Sequence, residues 1–321
     1  MSFIRTVLGD IAPSDLGVTY AHEHLVIDGG RPVEMHPDFL LADVGKAVEE
    51  LRAAQERGLA TVVDAMPCDA GRNVMKLAEI SRRSGVHVVA ATGLHLAKYY
   101  GDDHWSVNLD ADGVAALFIA DIVEGIDVFD YSGPPVQRTD HRAGVMKIAG
   151  SLDDLTVLEE KVFAAAARAH VATGCPILTH CQEGTAALEQ IIALGHGGVE
   201  PHHIVLSHTD KIVDRGYHRA IFETGAYVEY DQSFRWGPDQ ENGTLLLLEW
   251  MFEDGFGGQV MLGLDAARQG YWSAYGGSPG MTYLLDGFSK AMADRGVGTA
   301  EQRAIFVDNP ARAFAFGQPA S

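Results

Sequence analysis

Residues 17–25 read Gly17-Val18-Thr19-Tyr20-Ala21-His22-Glu23-His24-Leu25. An apolar-rich run that closes on two histidines two positions apart fits a β-strand, because side chains i and i+2 of a strand face the same way. Two imidazoles on one face can grip one metal ion, with Glu23 directed elsewhere. Four later apolar runs also end in a residue that can bind or adapt to a metal. Lys147 follows Gly144-Val145-Met146, and His180 follows Pro176-Ile177-Leu178-Thr179. His208 follows Ile204-Val205-Leu206-Ser207, and Asp265 follows Val260-Met261-Leu262-Gly263-Leu264. Six such side chains at the same end of five strands imply one shared site.

Outward from this segment the chain alternates strand-like and helix-like runs, the pattern of parallel strands joined by crossover helices. Strands are expected at 18–22, 60–65, 86–92, 144–149, 176–180, 203–208, 226–230 and 259–265. Between them, residues 44–57 carry Val44, Ala47, Val48, Leu51 and Ala54 at helical spacing and stop at Gly58. Residues 155–173 do the same through Leu155, Leu158, Val162, Ala165 and Ala169, and stop at Gly174. Eight strand-helix units predict a (β/α)8 TIM barrel, a fold of roughly 250 residues that sets its functional groups at the C-terminal ends of the strands. The chain of 321 residues is therefore expected to be one domain over 1–321, with a short N-terminal extension around Gly9-Asp10 and Pro13. A doubly wound open sheet is the alternative, and it lacks the glycine-rich turn expected after its first strand.

Composition narrows the function classes. Apolar residues make up 47% of the chain and the mean hydropathy is +0.00, values of an ordinary globular protein. No apolar run approaches the roughly 20 residues that span a bilayer. The N-terminus lacks the features of a signal peptide, so a cytoplasmic location is expected. A formal charge of −20 repels nucleic acid and anionic membranes, so neither is an expected partner. An anionic small-molecule substrate would need local cations. The three cysteines, Cys68, Cys175 and Cys181, have no zinc-finger spacing. Cys181 directly follows His180, and strand alternation turns it away from the metal.

Lys147 is the odd member of the six, since an ammonium beside two dications is strongly repelled. Condensation with carbon dioxide would convert it to a carbamate, N6-carboxylysine, an anionic ligand able to bridge two metals. A charged lysine that binds a substrate anion beside a single metal is the alternative.

At this point the chain resembles the phosphotriesterase-related family of the amidohydrolase superfamily over essentially its whole length. The resemblance is carried by Val7-Leu8-Gly9, Gly17-Val18-Thr19 leading into His22-Glu23-His24-Leu25, Asp64, Gly71-Arg72-Asn73 and Ala91-Thr92-Gly93. It continues through Val145-Met146-Lys147-Ile148, Thr179-His180, Ser207-His208-Thr209-Asp210, Gly263-Leu264-Asp265 and Asp308-Asn309-Pro310-Ala311. It implies a binuclear site, with His22, His24 and Asp265 on the buried metal and His180 and His208 on the exposed one. Carboxylated Lys147 and a hydroxide bridge both. Imidazole and carboxylate ligands suit zinc, and manganese or cobalt fit the same set. The implied reaction is hydrolysis by the bridging hydroxide, with Asp265 as proton acceptor and donor. A homodimer is the usual assembly of such relatives.

The substrate must be read from the loops. Arg268 and Tyr271 follow Asp265 by three and six residues, and Tyr275-Gly276-Gly277-Ser278-Pro279-Gly280 lies just beyond. This pattern looks like that of family members that open phosphorylated sugar lactones, where the arginine and tyrosine bind phosphate. Arg235 is a second candidate cation, and Tyr99 or Tyr100 a candidate hydrogen-bond donor to the lactone. The expected function is thus a metal-dependent lactonase for polar sugar lactones, phosphorylated ones included. An acyl-lactone lactonase or an organophosphate triesterase is the alternative, and a non-catalytic binding protein on the same barrel the third reading.

Overall fold

The computed structural model describes residues 2–318 except Pro134 and Pro238. The chain opens with an antiparallel hairpin of β1 (Ile4–Thr6) and β2 (Gly9–Ile11). Eight parallel strands follow: β3 (Val18–Glu23), β4 (Leu59–Asp64), β5 (His87–Thr92), β6 (Val145–Gly150), β7 (Ile177–Cys181), β8 (Ile204–Ser207), β9 (Tyr227–Tyr230) and β10 (Val260–Leu262). Each pairs with the next in chain order. The Asp265 N–H, just past β10, donates to the His22 carbonyl of β3 at 3.0 Å and so bridges the last strand to the first. The sheet is a closed barrel, and the open doubly wound alternative does not apply.

Helices surround it: α1 (Gly30–Met35), α2 (Val44–Gln55), α3 (Val74–Ser84), α4 (Ala111–Val123), α5 (Val157–Thr173), α6 (Ala187–His196), α7 (Arg215–Glu223) and α8 (Gly243–Glu253). The short α9 (Ser289–Asp294), α10 (Thr299–Arg303) and α11 (Asn309–Ala313) finish the chain. The expected helix at 155–173 begins at Val157 because Thr156 and Glu159 form a capping box. It ends where Gly174 adopts φ +72, a left-handed cap that favours glycine. Among the described residues no helix is long and apolar enough to cross a membrane.

The observed strands match the expected ones to within a residue or two, except the last. β10 ends at Leu262 rather than continuing to residue 265, because the chain turns inward at Gly263 to meet β3. A Cβ at Gly263 would lie 2.6 Å from Glu229 Oε1 and 2.7 Å from the His22 carbonyl oxygen, so only glycine admits this approach.

Two apolar layers hold the barrel. The larger fills the space between strands and helices. The smaller fills the barrel itself, where Val145, Leu178, Val205, Tyr227 and Met261 point inward and Ile4, Leu16 and Phe314 pack with them. Strand alternation then sends the residues two further along to the same interior. From Val145, Leu178 and Tyr227 these are Lys147, His180 and Glu229, so the apolar plug is topped by polar side chains.

Candidate metal centre

All six candidate ligands converge above that plug. His22 and His24 lie at the end of β3, their ring centroids 5.5 Å apart. Asp265 Oδ1 lies 3.3 Å from His24 Nε2 and 3.9 Å from His22 Nε2. The His208 ring stands 4.9 Å from that of His22 and 4.5 Å from that of His180. Five of the six line one cavity of about 120 Å³. Lys147 sits against its floor, fully buried, with Nζ 3.5 Å from Ser207 Oγ. His208 and Asp265 both follow their strands with positive φ, +67 and +47. Backbone of this kind is uncommon for non-glycine residues and concentrates at functional sites.

Burial sets the charge states. Desolvation, followed by the nearby Lys147 charge, holds the His22 imidazole well below its ordinary range. Desolvation and the His208 neighbour do the same for His180. These rings are neutral and keep a lone pair for a cation. Desolvation also pushes the Lys147 amine down to about 8, which brings its neutral, nucleophilic form within reach near neutral pH. Burial raises the Asp265 carboxyl, but the hydrogen bond with His24 and the Arg235 charge outweigh it and hold the group below the usual carboxylate range.

Two residues that the sequence reading passed over complete the floor. Glu229 and Asp231, in β9 and just beyond it, are fully buried. Glu229 Oε2 lies 3.3 Å from His22 Nδ1. Asp231 Oδ2 lies 2.5 Å from His208 Nδ1 and 3.7 Å from His22 Nδ1. Burial, then repulsion by Asp231, raises the Glu229 carboxyl well above its ordinary value. The same desolvation acts on Asp231, yet contact with His208 leaves it lowered, so the two neighbouring carboxyls are shifted in opposite directions. The signal was the alternation Glu229, Tyr230, Asp231, which places two acids on the inner face of one strand end.

This donor set fits divalent cations. Ligand atoms of His22, His24 and Asp265 form one compact group, and those of His22, His208 and Asp231 another. His24 Nδ1 and Glu229 Oε1 are buried without a hydrogen-bond partner, whereas His208 Nδ1 and Asp231 Oδ2 face each other at 2.5 Å. Leaving such atoms unsatisfied is costly, and a cation held among them removes the cost.

Above this floor the cavity opens into a mouth of about 350 Å³ whose lining includes Lys98, Lys211, Arg235, Arg268 and Tyr271. Arg268 donates to Asp38 Oδ2 at 2.6 Å and covers the Phe39 ring at 4.4 Å. Tyr271 meets Phe234 edge to face at 4.9 Å. Tyr99 lines both floor and mouth, and its ring meets His95 at 4.7 Å. Tyr100 is different, since its hydroxyl donates to the Cys68 carbonyl and accepts the His95 N–H. His95 lines the cavity 4.8 Å from His180, a neighbour that no sequence spacing indicated. Cys181 packs toward the helices beside Gln190, its thiol pushed up to about 12 by burial.

A closed parallel barrel with a histidine-rich pocket at its C-terminal face is the arrangement of a class of metal-dependent hydrolases. The phosphotriesterase family model matches residues 2–314, and the chain belongs to that family. A phospho-furanose lactonase from Mycoplasmopsis synoviae is 35% identical over 98% of this chain and 92% of its own length. The crystal structure of a lactonase from Listeria monocytogenes superposes with TM-score 0.90 at 31% identity, covering 98% of this chain and 100% of that one. An aryldialkylphosphatase from Saccharolobus solfataricus is 28% identical over 95% of this chain and 96% of its own.

Proposed function

We propose that this protein is a metal-dependent lactonase that hydrolyses polar sugar lactones, with a preference for phosphorylated ones. The observation that carries the reading is the position of three cationic side chains, Lys98, Lys211 and Arg268, around the mouth of a histidine pocket in a chain of net charge −20. Against that overall field, a local cluster of positive charge serves recognition of an anion. The names of the lactonase relatives agree with it.

His22, His24 and Asp265 would hold one divalent ion, His180 and His208 a second, and Lys147 as its carbamate would join the two. Zinc suits these ligands best, with manganese or cobalt as substitutes. Bound ions of this kind acidify water and polarise a carbonyl oxygen. Asp265 then takes the proton from the attacking water at its carboxylate and returns it to the ring oxygen as the acyl C–O bond breaks, which leaves a hydroxy acid. Arg268 reaches the substrate anion by exchanging its Asp38 partner. That exchange is cheap, because an exposed pair of this kind is worth only about 0–1 kcal/mol. Tyr271 and Tyr99 offer hydroxyls from the same rim.

The apolar side of the cavity, formed by Ile27, Phe39 and Met66, also admits an uncharged ester, and the aryldialkylphosphatase relative makes a weak triesterase activity a second reading. Proton release in weak buffer separates the two. Zinc-loaded protein should open aldonolactone 5-phosphates faster than the unphosphorylated lactones and far faster than an aryl phosphotriester. Equal or better turnover of the triester would contradict the lactonase reading.

A further inference from the structure

Arg235 stands at the mouth, yet its hydrogen-bonding capacity is already engaged. A guanidinium carries five N–H donors. Nη1 donates to the carbonyls of Asp231 and Leu264, the latter at 3.0 Å. Nη2 donates to the Asp265 carbonyl at 2.8 Å and to Asp265 Oδ2 at 3.3 Å. The rings of Phe234 and Tyr271 lie 4.5 and 5.3 Å from the guanidinium carbon. Only Nε–H stands outside these four bonds, so Arg235 cannot offer a two-pronged fork to a phosphate without releasing Asp265.

The other side of the same turn is held by Glu23. This buried carboxylate accepts the Leu264 N–H at 2.7 Å and the Ala266 N–H at 3.2 Å, one oxygen to each. The Asp265 N–H between them donates to the His22 carbonyl. Leu264–Ala266 is thus gripped by its amides on one side and its carbonyls on the other, and the residue in the middle sits at φ +47. A positive φ is uncommon for a non-glycine residue, although aspartate is among the types that adopt it most readily.

We infer that Arg235 and Glu23 are positioning residues, a two-sided clamp that fixes the Asp265 carboxylate against His22 and His24. Arg235 is therefore a partner of Asp265 rather than a recognition residue for the substrate anion. The inference rests on the reading of Asp265 as ligand and proton carrier. Phosphorylated and neutral lactones should then depend on Arg235 equally, because both need Asp265 in place.

The test uses full-length Arg235→Met, Arg235→Lys and Glu23→Gln, with folding checked by near-UV circular dichroism. Two readouts are taken: zinc retention in competition with a chelator, and kcat and KM for an aldonolactone 5-phosphate and its unphosphorylated counterpart. Arg235→Met and Glu23→Gln should each weaken zinc binding and lower kcat by about 10- to 100-fold, the range seen when residues that orient metal ligands are lost. The loss should be the same on both lactones, with KM near that of the parent. Arg235→Lys should fall between, since one ammonium cannot span carbonyls on three residues. Unchanged zinc retention, with a rise in KM confined to the phosphorylated lactone, would overturn the clamp and make Arg235 an anion-binding residue. If the parent protein opens no lactone, the functional reading fails, while zinc retention still decides the clamp. Should Arg235→Met not fold, Arg235→Lys carries the same comparison.

Discussion

At the pocket floor His22 and Glu229 keep side-chain exposures of 1% and 0%, whereas at the mouth Arg268 and Lys211 keep 36% and 28%. Floor residues are placed by strands whose alternation is fixed by the apolar plug below them. Their polar atoms are close-packed and partly unpaired, an arrangement that fits the proposed cations. Mouth residues stand on loops, and their partners, Asp38 for Arg268 and Glu183 for Lys211, are carboxylates at least half exposed, which the proposed substrate anion would replace. The floor is rigidly packed and the mouth exposed.

Substitutions should separate the two regions. The largest effect is expected at Lys147. Lys147→Ala should lose bound metal and lower kcat more than about 100-fold, as loss of a residue that orders a metal centre does. Partial rescue by a short carboxylic acid would support the carbamate, and full turnover with two retained metals would refute the bridging role. Chelation comes next. Removing metal present at 1,000 times its Kd should cost about 4 kcal/mol of stability, visible as a lower Tm. An unchanged Tm would mean that the floor needs no cation.

In the metal-free protein the contribution of the buried histidines should also be acid-sensitive in a defined window. Burial lowers His203 and His218 to about 4 and holds His22 and His180 well below their ordinary 6.5. The fold therefore favours neutral imidazoles, while the unfolded chain takes up protons near 6.5. Their contribution is complete above 6.5 and declines as pH falls from there towards 4. Buried Asp130 and Asp210, raised to about 7, act with the opposite sign, so the test compares the parent with His203→Gln: urea unfolding at pH 7.5, 6 and 5 should cost the parent more stability than the variant, and parallel series would contradict it.

Smaller effects belong to the mouth. Arg268→Ala should raise KM for a phosphorylated lactone about tenfold, the loss of one charged contact, and leave the neutral lactone and the Tm nearly unchanged. Lys211→Ala, whose present partner Glu183 is 3.9 Å away, should do the same to a lesser degree. If Arg268→Ala affected both lactones equally, the mouth would be structural and the contrast between the regions would fail.

The same contrast explains what could be read from the chain alone. The strands and the convergence of His22, His24, Lys147, His180, His208 and Asp265 follow from periodicity, since each lies at the end of an apolar run. Glu229 and Asp231 face the same interior, but they flank Tyr230, the residue that closes the run 226–230, so neither acid ends an apolar run. The partner of Arg268, by contrast, is Asp38, 230 residues away, and no local spacing reveals a contact made by two loops. The donors of Arg235 were equally hidden, because they go to backbone carbonyls that carry no sequence signature. β10 stops short for a related reason: the bend at Gly263 is dictated by the neighbouring strand across the barrel seam.

The most direct test of a two-metal floor is anomalous scattering at the zinc edge from crystals grown with zinc and bicarbonate. The account predicts two peaks, one among His22, His24 and Asp265 and one at His180 and His208, with carbamate density on Lys147 between them. A single peak, or an unmodified Lys147 beside two occupied positions, would contradict it.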